Sequence, residues 1–247
     1  MFYNAITASA GSITLPSSLT HIGRYAFYGC TGISGALSIP NGVSKIKSYS
    51  FYGCSGLSSI IIPNSVSVID TMAFCNCSSV TALTIGTAVD TIGISAFGNI
   101  NGLSTINYNA VNVRQCGSML FNGSSIQHFN IGSTVQVIPD YLVYSCPSLT
   151  SVTLPNTLTK IGTYNFMSCG LSGTVTLPSS LSLIGYGAFS NCPSITNIQC
   201  NASTPPSIEQ MSGYYYIFSS SLNVPLYVPC SSVAAYQGAP GWSNFTN

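Results

Sequence analysis

Apolar positions recur along the 247-residue chain with a period of 22 to 24 residues. The stretch 15–30, LPSSLTHIGRYAFYGC, returns in register from Ile39, Ile62, Leu154 and Leu177, and in weaker form from Ile85 and Ile131. A fixed period of this length is typical of solenoid proteins, in which each unit is too small to bury its own apolar face and stacks on its neighbours. The pattern therefore predicts a solenoid of about eight repeats.

Each repeat contains two apolar residues two positions apart, followed by a proline or glycine, as in Ile13, Leu15 and Pro16. This period-two alternation predicts a half-buried strand, and stacked copies would form a parallel sheet. The residue between the two aliphatics should face outward, on the concave wall of the solenoid. We place on this strand face Thr14, Ser38, Ile61, Thr84, Asn130, Thr153, Thr176 and, in an irregular copy, Tyr108.

Further positions of the repeat carry core residues, which in the first repeat are Leu19, Ile22 and Phe27. The aromatic positions are Phe27, Phe51, Phe74, Phe97, Phe121, Phe166 and Phe189, with Val143 filling the one gap. We expect each of these residues to stack on its equivalents above and below, forming a continuous core.

The frame I/L-x-I/L-P-x-x-V/L-x-x-I-G-x-x-A-F-x-x-C-x-x-L is carried most fully by residues 15–33, 62–80 and 177–195. It resembles the leucine-rich repeat of the BspA-like surface proteins of bacteria. The segments ASTPP at 202–206 and VPLYVPCSSVAAYQGAPGWSNF at 224–245 resemble the part that closes such arrays. The resemblance implies a right-handed leucine-rich repeat superhelix, of α/β type or mainly β, with a C-terminal cap.

This reading divides the chain into a solenoid over 1–198 and a capping segment over 199–247. Residues 1–12 would be a truncated repeat or an N-terminal cap. An irregular or bulged repeat is expected near 104–126, where Asn109 and Ala110 replace the aliphatic–proline pair. In the capping segment we predict a helix over 231–238, followed by Trp242. That tryptophan would either plug the last repeat or form a platform for a sugar.

The resemblance also implies a secreted or surface-anchored protein for adhesion or recognition, and no enzyme. We expect a protein or glycan ligand, no cofactor, a monomer, and an extracellular location, with a leader segment removed ahead of Met1. A structural spacer that displays other parts of a larger surface protein is the alternative. On the strand face, the hydroxyl-rich row could bind extended polypeptide or glycan, although a solvated strand explains it equally.

Charged residues make up only 4% of the chain and the net charge is +1, so nucleic acid is not an expected partner. No apolar run approaches the roughly 18 residues of a spanning helix. A nucleophile–base pair needs a histidine near a serine or cysteine. Because His21 and His128 occupy different repeat positions several turns apart, we predict no catalytic or metal-binding residues.

Six of the ten cysteines follow the motif aromatic by three residues and are predicted to form an interior column of thiols. They are Cys30, Cys54, Cys77, Cys146, Cys169 and Cys192. Cys200 and Cys230 flank the closing segment. They could form a disulfide with each other or remain two free thiols.

Tyrosine and methionine recur beside the motif aromatic and suggest a second surface, on the other wall of the solenoid. They are Tyr25, Tyr49, Met72, Met119, Tyr141 and Tyr164, two places before it, and Tyr28, Tyr52 and Tyr144, one place after it. Exposed tyrosine and methionine are enriched in protein-binding patches. Tyrosine contacts between successive turns would explain the same recurrence.

Overall fold

The computed structural model describes residues 11–118, 120–121, 124–218, 224–243 and 245. Nearly all of the predicted N-terminal turn over 1–12 lies outside these residues, as does Met119. Contacts divide the chain into two compact units, 1–132 and 133–247. Both consist of turns of parallel β-strand with little helix, so the chain is a parallel β-solenoid of about eight turns. Of the two fold classes expected, the mainly-β one is confirmed.

Turns of the first unit contribute a longer and a two-residue strand. In chain order these are β1 (His21–Ile22), β2 (Gly35–Ser38), β3 (Lys45–Ile46), β4 (Leu57–Ile61), β5 (Val68–Ile69), β6 (Ala82–Ile85), β7 (Thr91–Ile92), β8 (Thr105–Tyr108), β9 (Gln115–Cys116) and β10 (His128–Ile131). The longer strands form a parallel sheet in the order β10-β8-β6-β4-β2, as the apolar alternation predicts. The short strands form a second sheet, β1-β3-β5-β7-β9, which is too brief per turn to show a period in the sequence.

The second unit repeats this plan with fewer long strands. Its strands are β11 (Val137–Ile138), β12 (Lys160–Ile161), β13 (Gly173–Leu177), β14 (Leu183–Ile184), β15 (Ile195–Cys200), β16 (Ser207–Ile208), β17 (Gln210–Met211), β18 (Tyr214–Tyr215) and β19 (Leu226–Tyr227). Two sheets have the orders β11-β12-β14-β16 and β13-β15-β19. The antiparallel hairpin β17–β18 turns at Ser212 and Gly213, whose φ angles of 53° and 84° suit a type I′ turn.

The core of each unit contains a row of stacked phenylalanine rings. In the first unit the centroids of Phe27, Phe51, Phe74, Phe97 and Phe121 are 4.9, 5.2, 5.6 and 5.7 Å apart in turn. In the second unit Phe166, Phe189 and Phe218 stack at 5.2 and 5.3 Å. These distances are close to the spacing of about 4.8 Å between paired strands. The predicted row is therefore confirmed within each unit.

The predicted thiol column is also confirmed within each unit, since all six of its cysteines are buried and free. The thiols of Cys54, Cys77, Cys169 and Cys192 donate to carbonyl oxygens of the turn before. Cys54 Sγ lies 3.1 Å from the carbonyl of Phe27, and Cys192 Sγ lies 3.1 Å from that of Phe166. Burial raises the pKa of the Cys54 thiol to about 12. These cysteines are thus small core residues that also connect successive turns.

In seven turns of the described residues two corners have positive φ. This conformation costs a residue with a Cβ about 1–2 kcal/mol. The first corner comes two residues before the core aromatic and comprises Tyr25, Tyr49, Met72, Ser95, Tyr141, Tyr164 and Gly187. The second comes four residues later and comprises Gly29, Gly53, Asn76, Asn99, Ser145, Ser168 and Asn191. The recurrence of glycine and asparagine at the second corner was a sequence signal for it. The first corner carries mostly tyrosine and gives no such signal.

Tyr108 is fully buried, so the prediction that it faces outward is wrong. Strand β8 pairs with β6 without a register shift, which places Asn107 beside Thr84 and Tyr108 beside Ile85. An offset of one residue exchanges the two faces of a strand. The irregularity lies just after the strand, inside the expected stretch 104–126. Asn107 contacts Thr84, 23 residues earlier, whereas Arg114 pairs with a residue 24 positions earlier.

The closing segment contains a 3-10 turn, Cys230–Ser232, and the helix α1 (Val233–Gly238), near the predicted position. Trp242 is 1% exposed, and its Nε1 donates to the carbonyl of Pro206 at 2.7 Å. It therefore fills the core, and the sugar-platform alternative is wrong.

The cysteines of this segment are not bridged. The hydroxyl of Tyr236 lies 3.0 Å from Cys200 Sγ, inside the core, whereas Cys230 is exposed. Both are free thiols, so the disulfide alternative is wrong as well.

Candidate binding surfaces

The strand face of the first unit is assembled by the register of its long sheet. Successive pairs place Ser38, Ile61, Thr84, Asn107 and Asn130 side by side. Asn107 thus holds the position predicted for Tyr108. Ile61 is 44% exposed and is the one large apolar side chain in this row.

Polar side chains of this face are already hydrogen-bonded to one another. Asn107 Nδ2 donates to Thr84 Oγ1 at 3.3 Å, and Asn130 Nδ2 donates to Asn107 Oδ1 at 2.9 Å. A ligand on this row would compete with the ladder for the same donors and acceptors. The face is therefore suited to a stable, solvated sheet at least as well as to binding.

Thr14, Thr153 and Thr176, the other exposed members predicted for the strand face, are not among these strand pairs. Thr14 precedes the first long strand and lies outside any strand. In the second unit Thr153 also lies outside a strand, while Thr176 in β13 pairs with Gln199 in β15. The sheet therefore brings four of the eight predicted residues into one row: Ser38, Ile61, Thr84 and Asn130.

On the other wall, the first unit holds a group of four tyrosines, Tyr25, Tyr28, Tyr49 and Tyr52, here called the first tyrosine cluster. The rings of Tyr25 and Tyr49 stack at 5.2 Å with planes 19° apart. Those of Tyr28 and Tyr52 stack at 4.9 Å with planes 6° apart. The guanidinium of Arg24 lies 5.0 Å from the centre of the Tyr25 ring. Ring faces in this cluster are thus largely used in contacts with neighbouring turns.

The second unit holds a longer group, Tyr141, Tyr144, Tyr164, Tyr186, Tyr214 and Tyr216, here called the second tyrosine cluster. Its neighbouring rings are mostly inclined. The Tyr164 and Tyr186 planes meet at 89°, and those of Tyr186 and Tyr216 at 69°. Tyr141, Tyr144 and Tyr214 are 41%, 46% and 61% exposed. This cluster therefore presents aromatic surface to solvent.

A cleft of about 350 Å³ opens within the second tyrosine cluster, and we call it the tyrosine cleft. Its lining residues are Tyr164, Met167, Tyr186, Gly187, Ser190, Tyr216 and Phe218. Gly187 explains the opening. It occupies the first corner with a φ of 61°, and a Cβ there would lie 2.6 Å from Cε1 of Tyr164. The missing side chain leaves room for the Tyr164 ring to tilt over the corner.

The β17–β18 hairpin stands beside this cleft. The hydroxyl of Tyr164 lies 3.7 Å from Sδ of Met211, a hairpin residue that is 43% exposed. Glu209, just before the hairpin, accepts hydrogen bonds from Lys160 Nζ at 3.1 Å and from Thr163 Oγ1 at 2.8 Å. These two bonds connect the hairpin to the preceding turns. The bond to Lys160 is also an ion pair between the two charged residues nearest to the cleft along the chain.

Burial raises the pKa of Tyr164, and the nearby hydroxyls of Tyr186, Tyr141 and Tyr144 raise it further. The Tyr164 hydroxyl therefore keeps its proton at physiological pH and serves as a hydrogen-bond donor. The chemistry available in the cleft is thus neutral, with aromatic rings, a thioether and hydroxyl groups.

The described residues bring together neither the two histidines nor a group of metal-ligating side chains. His21 belongs to β1 and His128 to β10, in different sheets of the first unit. Across the described ranges, no three metal-ligating side chains of histidine, cysteine, aspartate or glutamate come together. None of the helices within these ranges has the length and apolar character needed to span a membrane.

Stacked parallel turns with a phenylalanine row and a recurring left-handed corner define a leucine-rich repeat protein. The family model for the BspA type leucine rich repeat region matches the chain over residues 1–124, 33–148 and 136–228. The chain therefore belongs to the BspA-type leucine-rich repeat family, as its motifs suggest. No curated protein sequence is significantly similar to it.

Several solved structures are similar to this chain. A leucine rich cell surface protein from Faecalibacterium prausnitzii is 25% identical, with a TM-score of 0.51, over 73% of this chain and 53% of that one. A leucine-rich repeat protein from Bacteroides ovatus is 20% identical, with a TM-score of 0.46, over 86% of this chain and 65% of that one. The chain thus spans about half to two thirds of the length of these two proteins.

Proposed function

We propose that this chain is a non-catalytic recognition module of the bacterial cell surface. In this proposal it is extracellular, acts as a monomer and binds a protein or glycan ligand. Membership of the BspA-type family supports a recognition role, and the similar protein from Faecalibacterium prausnitzii is described as a cell surface protein. The observation that carries the proposal is the tyrosine cleft together with the exposed rings around it.

The tyrosine cleft is a better candidate for ligand contact than the strand face. Tyrosine supplies large, rigid contact area at low entropic cost, and it is enriched at interfaces. The polar groups of the strand face are occupied by the Thr84–Asn107–Asn130 ladder. Ile61 and Ser38 on that face remain a predicted secondary contact.

The proposal is tested by binding of the purified chain to arrays of matrix proteins, mucins and glycans. Tyr164→Asn removes a cleft ring and keeps a residue that tolerates the left-handed corner. Tyr49→Asn is the matched control, since Tyr49 occupies the same corner of the first unit with a φ of 60°. We expect Tyr164→Asn to weaken binding at least tenfold and Tyr49→Asn to leave it unchanged. Equal loss in both variants, or no ligand on any array, would contradict the proposal.

A structural spacer is the second candidate, and the first tyrosine cluster favours it. There the stacked rings and the Arg24 contact account for the tyrosines without a ligand. A spacer predicts that no array binds the chain and that both tyrosine variants change stability alone.

A further inference from the structure

We infer that the tyrosine cleft binds a proline-rich segment in the polyproline II conformation. This rests on the proposed function, in which the second tyrosine cluster is the ligand surface.

The described residues that line the cleft include no charged side chain. The nearest charges along the chain, Lys160 and Glu209, form an ion pair at 3.1 Å with each other, and the carboxylate of Asp140 accepts a hydrogen bond from the backbone N–H of Thr163 at 2.9 Å. A strongly charged ligand would lose hydration on entering such a site without gaining an oppositely charged partner, which disfavours its binding. The ligand that fits is therefore neutral.

The shape of the lining favours compact rings that pack against the uncovered faces of aromatic side chains. Tyr186 meets Tyr164 edge to face at 5.5 Å and meets Tyr216 in the same way at 5.9 Å. Rings that meet edge to face leave part of a ring face free for a ligand, whereas the parallel rings of the first tyrosine cluster cover one another. Aromatic-lined grooves of this kind are the usual receptors for proline side chains.

Among the described lining residues the polar side-chain groups are hydroxyls, those of the three tyrosines and Ser190. A polyproline chain exposes backbone carbonyls that accept hydrogen bonds, and its proline residues have no N–H to satisfy. Hydroxyl donors are therefore sufficient for it. A glycan presents many hydroxyls that each donate and accept, and the four side-chain hydroxyls of the described lining residues can pair with only a few of them.

Polyproline II is also formed before binding, so little conformational entropy is lost when such a segment docks. This matters for a shallow cleft with few hydrogen-bonding groups, because the contacts need not offset a large ordering cost.

The test is isothermal titration of the whole chain with a decaproline peptide. A Gly-Ser decamer serves as the flexible peptide control, and cellohexaose represents a neutral glycan. Gly187→Asn keeps a residue suited to positive φ but places a Cβ 2.6 Å from the Tyr164 ring, which fills the cleft. Gly53→Asn is the matched control, because Gly53 has a φ of 71° and its nearest atom would lie 3.8 Å away.

We expect decaproline to bind, the Gly-Ser decamer not to bind, and Gly187→Asn to weaken decaproline binding at least tenfold while Gly53→Asn does not. Tyr164→Phe, which preserves the ring, should weaken it only a few-fold through the lost hydroxyl. Circular dichroism confirms that each variant is folded. Absence of decaproline binding, or equal loss in the two glycine variants, would overturn the inference.

The outcome also separates this inference from the proposed function. If cellohexaose or an array protein binds in a Gly187-dependent way and decaproline does not, the polyproline inference is wrong, but the proposed binding surface is supported. If Gly187→Asn affects no ligand that the arrays identify, the surface itself is wrong.

Discussion

The two tyrosine clusters are built around equivalent corners of different repeats, yet they differ in how their rings meet. In the first, the planes of Tyr25 and Tyr49 are 19° apart, so each ring covers the face of the next. In the second, the planes of Tyr164 and Tyr186 are 89° apart and a cleft opens beside them. One cluster stabilises the surface of its unit, and the other leaves aromatic surface available.

The residue at the following corner accounts for this difference. Tyr25 is followed one turn later by Tyr49, whose ring provides a stacking partner. Tyr164 is followed by Gly187, which provides no side chain, and the Tyr164 ring leans into the vacant space. A single glycine in a repeated frame can therefore convert a stack of rings into a candidate binding site.

The largest expected effect is one that the two units should share, because their cores are built alike. Phe74→Ala in the first unit and Phe189→Ala in the second each remove a fully buried ring from a phenylalanine row. We expect each to lower the free energy of unfolding by about 3–5 kcal/mol, measured by urea denaturation. A much smaller loss at one position would show that the two cores differ. The difference between the two units would then not be limited to their surface tyrosines.

A second shared effect is loss of stability at alkaline pH. The pKa values of Cys54 and Cys192 are raised to about 12, mainly by burial, against about 8.5 for an unfolded cysteine. A raised pKa in the folded state means that the contribution is complete below the unfolded value and is lost as pH rises above it. Urea midpoints should therefore fall between pH 8.5 and 12.

Single variants assign this alkaline loss to the thiols. We expect Cys54→Ala and Cys192→Ala to make the pH dependence of the urea midpoint shallower. Cys230→Ala is the control, because Cys230 is exposed and should leave the dependence unchanged. An unchanged slope in both core variants would argue against buried thiols as the cause.

Chemical modification distinguishes the two clusters directly. N-acetylimidazole should acetylate Tyr141, Tyr144 and Tyr214 several-fold faster than Tyr25 and Tyr49, as followed by peptide mass spectrometry. Their exposure of 41% to 61% is the reason, since stacking covers the rings of the first cluster. Tyr108 is the internal control: it is buried, and its slow reaction reports that the protein stays folded. Equal rates in both clusters would remove the basis of the comparison.

The smallest expected effects concern two ion pairs, one in each unit. The Thr91 hydroxyl and then Arg114, 2.8 Å away, lower the pKa of Asp90, so its contribution is present at neutral pH and is lost as pH falls through the folded value. We expect Asp90→Asn to cost less than about 1 kcal/mol in urea denaturation at pH 7. It should not alter ligand affinity.

Glu209→Gln is the matching change beside the cleft. It weakens the bonds to Lys160 and Thr163 that hold the hairpin, so we expect a similar small loss of stability together with a few-fold loss of ligand affinity. Unchanged affinity would show that the hairpin is not part of the binding surface.

The repeat frame was sufficient to predict the core, because Phe74, Val66 and Cys77 hold positions that a period of about 23 residues identifies directly. It was not sufficient for Tyr108, where the aliphatic–proline pair is missing and an offset of one residue changes the exposed face. The cleft also could not be predicted from the sequence. Tyr164 could be recognised as a surface tyrosine, but the importance of Gly187 depends on a positive φ and on contact between successive turns.

The most direct test of the central claim is an NMR titration of the chain with ring-labelled tyrosine, which reports on all 15 tyrosines at once. The ligand is decaproline or a molecule identified on the arrays. The account predicts that chemical shift changes concentrate on Tyr164, Tyr186 and Tyr216 in the cleft. Changes that concentrate on Tyr25 and Tyr49 instead, or saturable binding that leaves all of the cleft tyrosines unshifted, would contradict it.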